Sequence, residues 1–385
     1  MSAATVDAGS GDATPAAQPV ALLCPACGAI NEPNARFCEE CGTQLGDLIE
    51  VSGDTATEPE DIPERATSAV IPAPARRACV YCGGSIADDG YCELCGKPAQ
   101  SERDHWQEAP AAWVGGVCDR GIRHEINEDA MALSAEPQAG SFAVLVVCDG
   151  VSSTPGSDVA SLAAARAATA LLAEGRVADT AAGLDSEQAQ ARWSGRMLTA
   201  GEHASAAIYE AIGELATRTN PPSCTFAAAV IDGPLVVVGS VGDSRVYWIG
   251  DEGHSRKLST DDSWSQEMMA HGMSRQQAEN APQAHSITRW LGADSPEEKP
   301  QVGPTYPTGA GWVLVCSDGL WNYCSDARDL EELVHRIVGS VGSNPVTIAS
   351  TLVDWANEQG GQDNITAALA RFDSVVSTAA PAAGV

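Results

Sequence analysis

Val144-Leu145-Val146-Val147-Cys148-Asp149-Gly150 and Trp312-Val313-Leu314-Val315-Cys316-Ser317-Asp318-Gly319 share one design: a short apolar run stops at an acidic residue followed by glycine. Apolar runs of this length, rich in β-branched residues and closed by turn residues, read as buried strands. Runs at 225–231, 235–241, 245–249 and 365–370 have the same texture, and Gln362-Asp363-Asn364 opens the last of them. Between them, Ala- and Leu-rich stretches read as helices at 158–173, about 188–217, about 327–338 and 345–357; Gly175 ends the first and Gly360-Gly361 the last. Runs joined by a turn as short as Asp232-Gly233-Pro234 pair antiparallel. This order predicts an α+β layered sandwich rather than a doubly wound parallel sheet.

The acidic residues then demand an explanation. Besides Asp149 and Asp318, Asp243 sits in Ser240-Val241-Gly242-Asp243-Ser244-Arg245 between two strands, Asp363 opens the last strand, and Asn127-Glu128-Asp129 precedes a strand at 131–133. Carboxylates converging on one sheet edge repel unless cations lie between them. Oxygen donors without His or Cys suit Mg²⁺ or Mn²⁺ better than Zn²⁺. Gly150, lacking a Cβ, lets its carbonyl approach such an ion. One Asp-Gly is most often a turn; five acidic residues at successive strand ends read as a site.

The chain has 385 residues, 44% apolar and 19% charged, with 22 basic against 52 acidic residues and a net charge of −30. That balance disfavours phosphate-backbone binding and anionic membranes alike. No apolar run reaches the roughly 18 residues needed to span a bilayer, and no signal peptide is apparent, so a cytoplasmic location is expected.

Eight of the 13 cysteines form C-x-x-C pairs before residue 100: Cys24/Cys27 with Cys38/Cys41, and Cys79/Cys82 with Cys92/Cys95. Two such pairs about ten residues apart make a closed four-thiolate site, so two structural Zn²⁺ ions in two zinc ribbons are expected. Without a secretion signal, a disulfide framework is the weaker reading. The expected organisation is a disordered N-terminus (1–20), ribbon one (21–45), an acidic Pro/Thr/Ala-rich linker (46–77), ribbon two (78–98), a second linker (99–112), a large domain (113–374) and a disordered tail (375–385). With so little positive charge, the ribbons are expected to dock protein rather than nucleic acid.

Several motifs in order resemble the metal-dependent protein phosphatases of the phosphatase-2C type, bacterial branch. They are Cys118-Asp119-Arg120-Gly121-Ile122-Arg123 followed by Asn127-Glu128-Asp129, then Asp149-Gly150, Gly242-Asp243-Ser244-Arg245, Ser317-Asp318-Gly319 and Asp363-Asn364-Ile365-Thr366. Leu258 to Ser263, the Gly272 region and Ile287 to Gly292 resemble that family's flap. The paired cysteines likewise resemble double zinc ribbon modules of bacterial signalling proteins.

The resemblance implies a four-layer α-β-β-α sandwich with a dinuclear Mg²⁺ or Mn²⁺ centre at one edge. It implies that a metal-activated hydroxide there hydrolyses phosphoserine or phosphothreonine in proteins, in bacterial signalling, on phosphoproteins made by Ser/Thr kinases. Asp149 bridges both ions and the Gly150 carbonyl binds one; Asp318 and Asp363 ligate the other; Asp243 with Asp318 forms a weaker third site. Asp129 holds metal-bound waters, with Glu128 behind it. Arg123 is the candidate phosphate clamp. The family's phosphate-binding Arg, however, falls three residues before the Asn of N-E-D, where His124 stands, so either residue is open for that role. The segment 151–155 also departs from the family's Gly-rich turn. Two other readings are a phosphatase dedicated to one phosphoprotein, and a zinc-ribbon adaptor whose phosphatase-like domain binds phosphoproteins without turnover.

Overall fold

The computed structural model describes residues 22–23, 30–31, 82–87, 89–97, 99, 101–151, 155–177, 185–279, 281–284, 286–295 and 297–373. The expected disordered ends, the linker 46–77 and five of the paired cysteines (Cys24, Cys27, Cys38, Cys41, Cys79) lie outside the described residues. The chain divides into two units, Met1–Pro74 and Ala75–Val385. In the first, β1 (Leu22–Leu23) pairs antiparallel with β2 (Ile30–Asn31).

The second unit carries β3 (His105–Ala111), β4 (Val114–Asp119), β5 (Ala130–Ala135) and β6 (Phe142–Cys148). Helices α1 (Ser157–Val177) and α2 (Ser186–Ile212) follow, then β7 (Ser223–Cys224), β8 (Phe226–Asp232), β9 (Leu235–Val241), β10 (Arg245–Gly250) and β11 (Arg256–Lys257). Next come α3 (Trp264–Ala270), α4 (Arg275–Glu279), β12 (Leu291–Gly292), β13 (Gln301–Thr305) and β14 (Gly311–Cys316). The chain ends with α5 (Asp318–Trp321), α6 (Ala327–Val341), α7 (Pro345–Gln359) and β15 (Ile365–Phe372).

One sheet has the order β11-β10-β14-β15-β4-β3 and the other β13-β9-β8-β6-β5, with antiparallel neighbours throughout. Side chains alternate across each strand, and β6 shows why its run is continuously apolar. Ala143, Leu145 and Val147 enter the core between the sheets, while Val144, Val146 and Cys148 pack under α1 and α2. A third core joins β10, β14 and β15 to α6 and α7, with Leu330, Leu333 and Val334 facing Leu314 and Leu369. Three cores between four layers give the expected α-β-β-α sandwich.

The stretch 99–112 departs from its linker reading. Residues 105–111 form β3, paired with β4 at the edge of the six-stranded sheet. Its burial alternates imperfectly, and one side faces solvent, so its composition resembles loop. Strand β4 was missed for a different reason. Gly115-Gly116 reads as a turn, yet a Cβ on Gly115 would meet the Val346 main chain of α7 at 3.0 Å, and one on Gly116 would lie 2.8 Å from Met131 Sδ. Both neighbours pack too close for a side chain.

Within the second ribbon, the sulfurs of Cys82, Cys92 and Cys95 lie within 4.8 Å of one another. Leu94 N–H points to Cys92 Sγ at 3.4 Å, the amide-to-thiolate contact that zinc knuckles use. Tetrahedral Zn–S bonds of about 2.3 Å put sulfurs roughly 3.8 Å apart, so the trio fits a zinc ion.

Candidate active site

Strand register, rather than proximity in sequence, gathers the acidic residues. Arg245 at the start of β10 pairs with Cys316 at the end of β14, and Cys316 pairs with Ala367 near the start of β15. Ile365 pairs with Asp119 at the end of β4. In the other sheet, Ala130 opens β5 opposite Cys148, which closes β6. Antiparallel pairing thus turns Asp129, Asp149, Asp243, Asp318 and Asp363 toward the same end of both sheets.

Asp129 is fully buried; its Oδ2 accepts hydrogen bonds from Ser317 Oγ and Thr366 Oγ1, both at 2.7 Å. Asn322 Nδ2 donates to Asp318 Oδ2 at 3.0 Å. The remaining oxygens, Asp129 Oδ1 and Asp318 Oδ1, are buried without a hydrogen-bond partner among the described residues. The Asp149 main chain is pinned in both directions: its N–H donates to Thr225 Oγ1 at 3.0 Å and its carbonyl accepts from Thr225 N at 2.8 Å. Asp243 is 4% exposed, and its carbonyl accepts from Trp321 Nε1 at 2.9 Å.

Burial and mutual repulsion push these carboxyls up. Desolvation, followed by the charges of Asp363 and Asp318, raises Asp129 to about 7, against the Ser317 and Thr366 hydrogen bonds. Desolvation and Asp363 raise Asp318 to about 6, opposed by Asn322 and the Asp149 carboxyl. Asp149 stands well above the carboxylate range, through desolvation and then Asp129, Asp318, Asp363 and Asp243. Asp243 is raised by desolvation, Asp318 and Asp261, with Arg245 opposing. Orphaned oxygens, an all-oxygen donor set and crowded negative charge fit divalent cations. Among the described residues only the cysteine trio gathers three donor atoms within 4.8 Å. The carboxylates are spread wider, as suits ions that keep much of their water.

A stability prediction follows. A carboxyl whose folded pKa exceeds its unfolded value stabilises the fold fully below the unfolded pKa, and that contribution is lost as pH rises toward the folded one. With Asp318 near 6 and Asp129 near 7, protein stripped of Mg²⁺ and Mn²⁺ but retaining zinc should lose stability between about pH 4 and 7. His105, raised above 6.5 first by its hydrogen bond to Asp119, extends the loss in the same direction above about pH 6.5. Denaturant unfolding at several pH values checks this: Asp129→Asn should flatten the slope, and saturating Mn²⁺ should remove most of it. A slope that persists unchanged in both would contradict the electrostatic account.

The two phosphate-binding candidates are placed differently. Arg123 is exposed, and its guanidinium has no hydrogen bond or ion pair among the described residues. His124 turns inward, with Nε2 3.3 Å from Asp363 Oδ1. The loop is held so because Ile122 N and Arg123 N both donate to Gly361 O, at 2.9 and 3.1 Å. Asn364 braces its other side: Nδ2 donates to the Arg120 and Ile126 carbonyls at 2.8 and 3.1 Å, and Oδ1 accepts from Glu128 N at 2.8 Å. Sequence reasoning named Asn364, Ser317 and Thr366 only as parts of motifs, and Thr225 only as the start of a strand, without a role for any of them; hydroxyls beside strand ends were the available signal.

Gly150 serves packing as well as access. Its N–H donates to Glu128 O, and a Cβ there would lie 2.7 Å from that oxygen. Of the departing segment 151–155, residues 152–154 lie outside the described residues. The flap segment is anchored by buried Asp261, which pairs with Arg245 and Lys257, each at 2.7 Å. Asp262 accepts from Gly242 N at 3.1 Å and pairs with Arg289 at 3.2 Å. A cavity of about 450 Å³ lies between the flap and α5–α6, bordered by Asp243, Arg245, Met269, Trp321 and Asn322. A second, of about 360 Å³, is bordered by Asp318, Asn322, Tyr323 and Asp363.

Residues 121–356 match the family "Protein phosphatase 2C", and residues 24–104 match "Double zinc ribbon". A serine/threonine phosphatase (stp) of Listeria innocua is 31% identical over 151 residues, which cover 39% of this chain and 57% of that protein. The chain thus spans little more than half the length of this relative. The Mycobacterium tuberculosis serine/threonine phosphatase PstP/Ppp superposes with a TM-score of 0.53 at 24% identity, over 68% of this chain and 98% of that one. The Streptococcus agalactiae serine/threonine phosphatase gives 0.51 at 25% identity, over 70% and 100%.

Proposed function

The chain belongs to the protein phosphatase 2C family, and on that premise we propose that it hydrolyses phosphoserine and phosphothreonine in proteins in a metal-dependent reaction. The observation that carries this reading is the edge of five strand-end aspartates, of which Asp129 and Asp318 each hold a buried oxygen without a partner among the described residues, and of which Asp129, Asp149, Asp243 and Asp318 have carboxyls raised by burial and by neighbouring carboxylates. Asp149 would bridge two Mg²⁺ or Mn²⁺ ions, with the Gly150 carbonyl on one and Asp318 and Asp363 on the other. Asp243 and Asp318 would hold a weaker third, and Asp129 would orient water bound there. When bound, such ions polarise phosphoryl oxygens and acidify water for in-line attack.

The protein's own groups do the rest. His124, rather than the exposed Arg123, would offer its ring N–H to a phosphoryl oxygen while Asp363 orients the ring. Asn364 and Gly361 hold that loop, and Trp321, donating to the Asp243 carbonyl, holds the Asp243 turn. The phosphatase unit would take in the turn at Glu102–Asp104, ahead of the expected start at 113, and would end near 374. The ribbons at 21–45 and 78–98, each with one structural Zn²⁺, would dock protein partners. A cytoplasmic bacterial signalling role, opposite Ser/Thr kinases and without nucleic acid or membrane, accords with the −30 charge. No helix among the described residues is long and apolar enough to cross a membrane.

Full-length protein supplied with a phosphothreonine peptide should release phosphate with Mn²⁺. Activity should fall at least about a hundredfold when Mn²⁺ and Mg²⁺ are withdrawn and zinc is retained. Elemental analysis should find two zinc ions per chain. A folded, Mn²⁺-loaded protein that binds the phosphopeptide without releasing phosphate would defeat the proposal in favour of the adaptor.

A further inference from the structure

Arg103 lies just after the second ribbon, in the turn Glu102–Asp104, within the stretch whose composition reads as linker. Its side chain runs beneath the acidic edge. Nη2 alone donates to three main-chain carbonyls: Asn127 at 3.2 Å, Asp129 at 3.0 Å and Asp158 at 3.2 Å. The attachment is reciprocal. Asn127 Nδ2 donates to Arg103 O at 2.8 Å, and Asn127 Oδ1 accepts from Asp129 N at 3.2 Å. The turn that presents Arg103 is itself closed by a capping box, in which Ser101 Oγ accepts from Arg103 N and Asp104 Oδ2 accepts from Ser101 N. Arg120 N ties the turn to the D-R-G loop by donating to Asp104 O at 2.8 Å.

The guanidinium lies 5.1 Å from the Trp106 ring centroid, and burial holds its pKa below the usual arginine value. Nε and Nη1 are buried without an acceptor among the described residues. Unpaired buried donors are costly, so as a simple strut Arg103 is poorly satisfied. Its geometry instead accomplishes one thing: a single nitrogen joins the Asp129 loop to the first turn of α1. Ser161 Oγ repeats that junction by donating to both the Glu128 and Asp158 carbonyls.

We propose that Arg103 is a positioning residue for Asp129, so that the segment leaving the second ribbon forms part of the metal-holding edge. The inference rests on the reading of that edge as a metal centre. Ser317 and Thr366 hold only Asp129 Oδ2; the direction of Oδ1 depends on the main chain, which Arg103 fixes from the opposite side. Outer partners of this kind tune metal affinity without touching the ion.

The test uses full-length, zinc-loaded protein and the variants Arg103→Met and Arg103→Lys. Met keeps the stem without donors, whereas Lys keeps a cation with three donors. Calorimetric titration with Mn²⁺ should give about tenfold weaker binding for Arg103→Met. The Mn²⁺ concentration for half-maximal hydrolysis of an aryl phosphate should rise in parallel, with kcat at saturating Mn²⁺ and substrate KM little changed. Arg103→Lys should recover most of the affinity. Wild-type Mn²⁺ affinity in folded Arg103→Met overturns the proposal, and so does an equal loss in Arg103→Lys. If Arg103→Met does not fold, Arg103→Gln replaces it with the same outcomes. A wild type that binds Mn²⁺ but hydrolyses nothing would defeat the phosphatase reading alone. A wild type that hydrolyses, alongside variants that bind Mn²⁺ equally well, would defeat the positioning role alone.

Discussion

Asp149→Asn is expected to lower Mn²⁺-dependent turnover by at least about a thousandfold while making the metal-free protein more stable. The two effects have one cause. The Asp149 carboxyl is raised by burial and by four neighbouring aspartates, so at neutral pH the cost of ionising or protonating it in place opposes folding until a cation compensates it. Asn has nearly the same shape, and the main-chain bonds to Thr225 do not involve the carboxylate. Removing the charge relieves repulsion in the metal-free fold, where each kcal/mol corresponds to roughly 2–4 °C in Tm for a domain of this size. The same change removes the proposed bridging donor; a thousandfold loss corresponds to about 4 kcal/mol of transition-state stabilisation. Calorimetric melting without Mn²⁺ and phosphate release with it are the measurements. Near-wild-type turnover from folded Asp149→Asn would refute the site assignment, and a lowered metal-free Tm would refute the repulsion argument.

Gly121→Ala should destabilise the protein by about 2–5 kcal/mol and cut turnover about a hundredfold. Gly121 has φ +73°, a region that costs a residue with a Cβ about 1–2 kcal/mol. A Cβ there would also overlap the Asp363 carbonyl oxygen and approach Gly361 O at 3.2 Å; forcing apart a packed contact costs about 1–3 kcal/mol more. The displaced residues are those that place Asp363 and His124, so activity should fall further than stability alone requires. Gly309→Ala is the control: its φ is +83°, but no atom lies within 4 Å of the added Cβ. It should cost only the backbone term and leave turnover intact. Urea unfolding and aryl phosphate hydrolysis of both variants decide the matter; equal behaviour would show that the close approach at Gly121 is unimportant.

These two positions mark how far the sequence could be read. Asp149 was legible because its signal is local: a buried strand must end, and an acid followed by glycine at that end stands out against the run before it. The same local logic located β8, β9, β10, β14 and β15 to within one or two residues, because each strand is buried on both faces and therefore continuously apolar. Gly121 carried no such signal, since the atom that excludes a side chain there belongs to Asp363, far along the chain.

The amino-acid sequence by itself determined the α+β layering, the antiparallel pairing, the five acidic strand ends and the spacing of the paired cysteines. All of these rest on periodicity and turn chemistry within a few residues. Only the tertiary structure decided that β3 belongs to the sheet, that Gly115-Gly116 lies inside a strand, that His124 rather than Arg123 faces Asp363, and that Arg103 reaches Asp129. The reason is physical. An edge strand half in solvent needs no distinctive composition, a glycine required by a neighbouring helix looks like any turn glycine, and the direction of a loop side chain is set by hydrogen bonds such as those from Ile122 and Arg123 to Gly361. Those partners are brought together only when the two sheets pack.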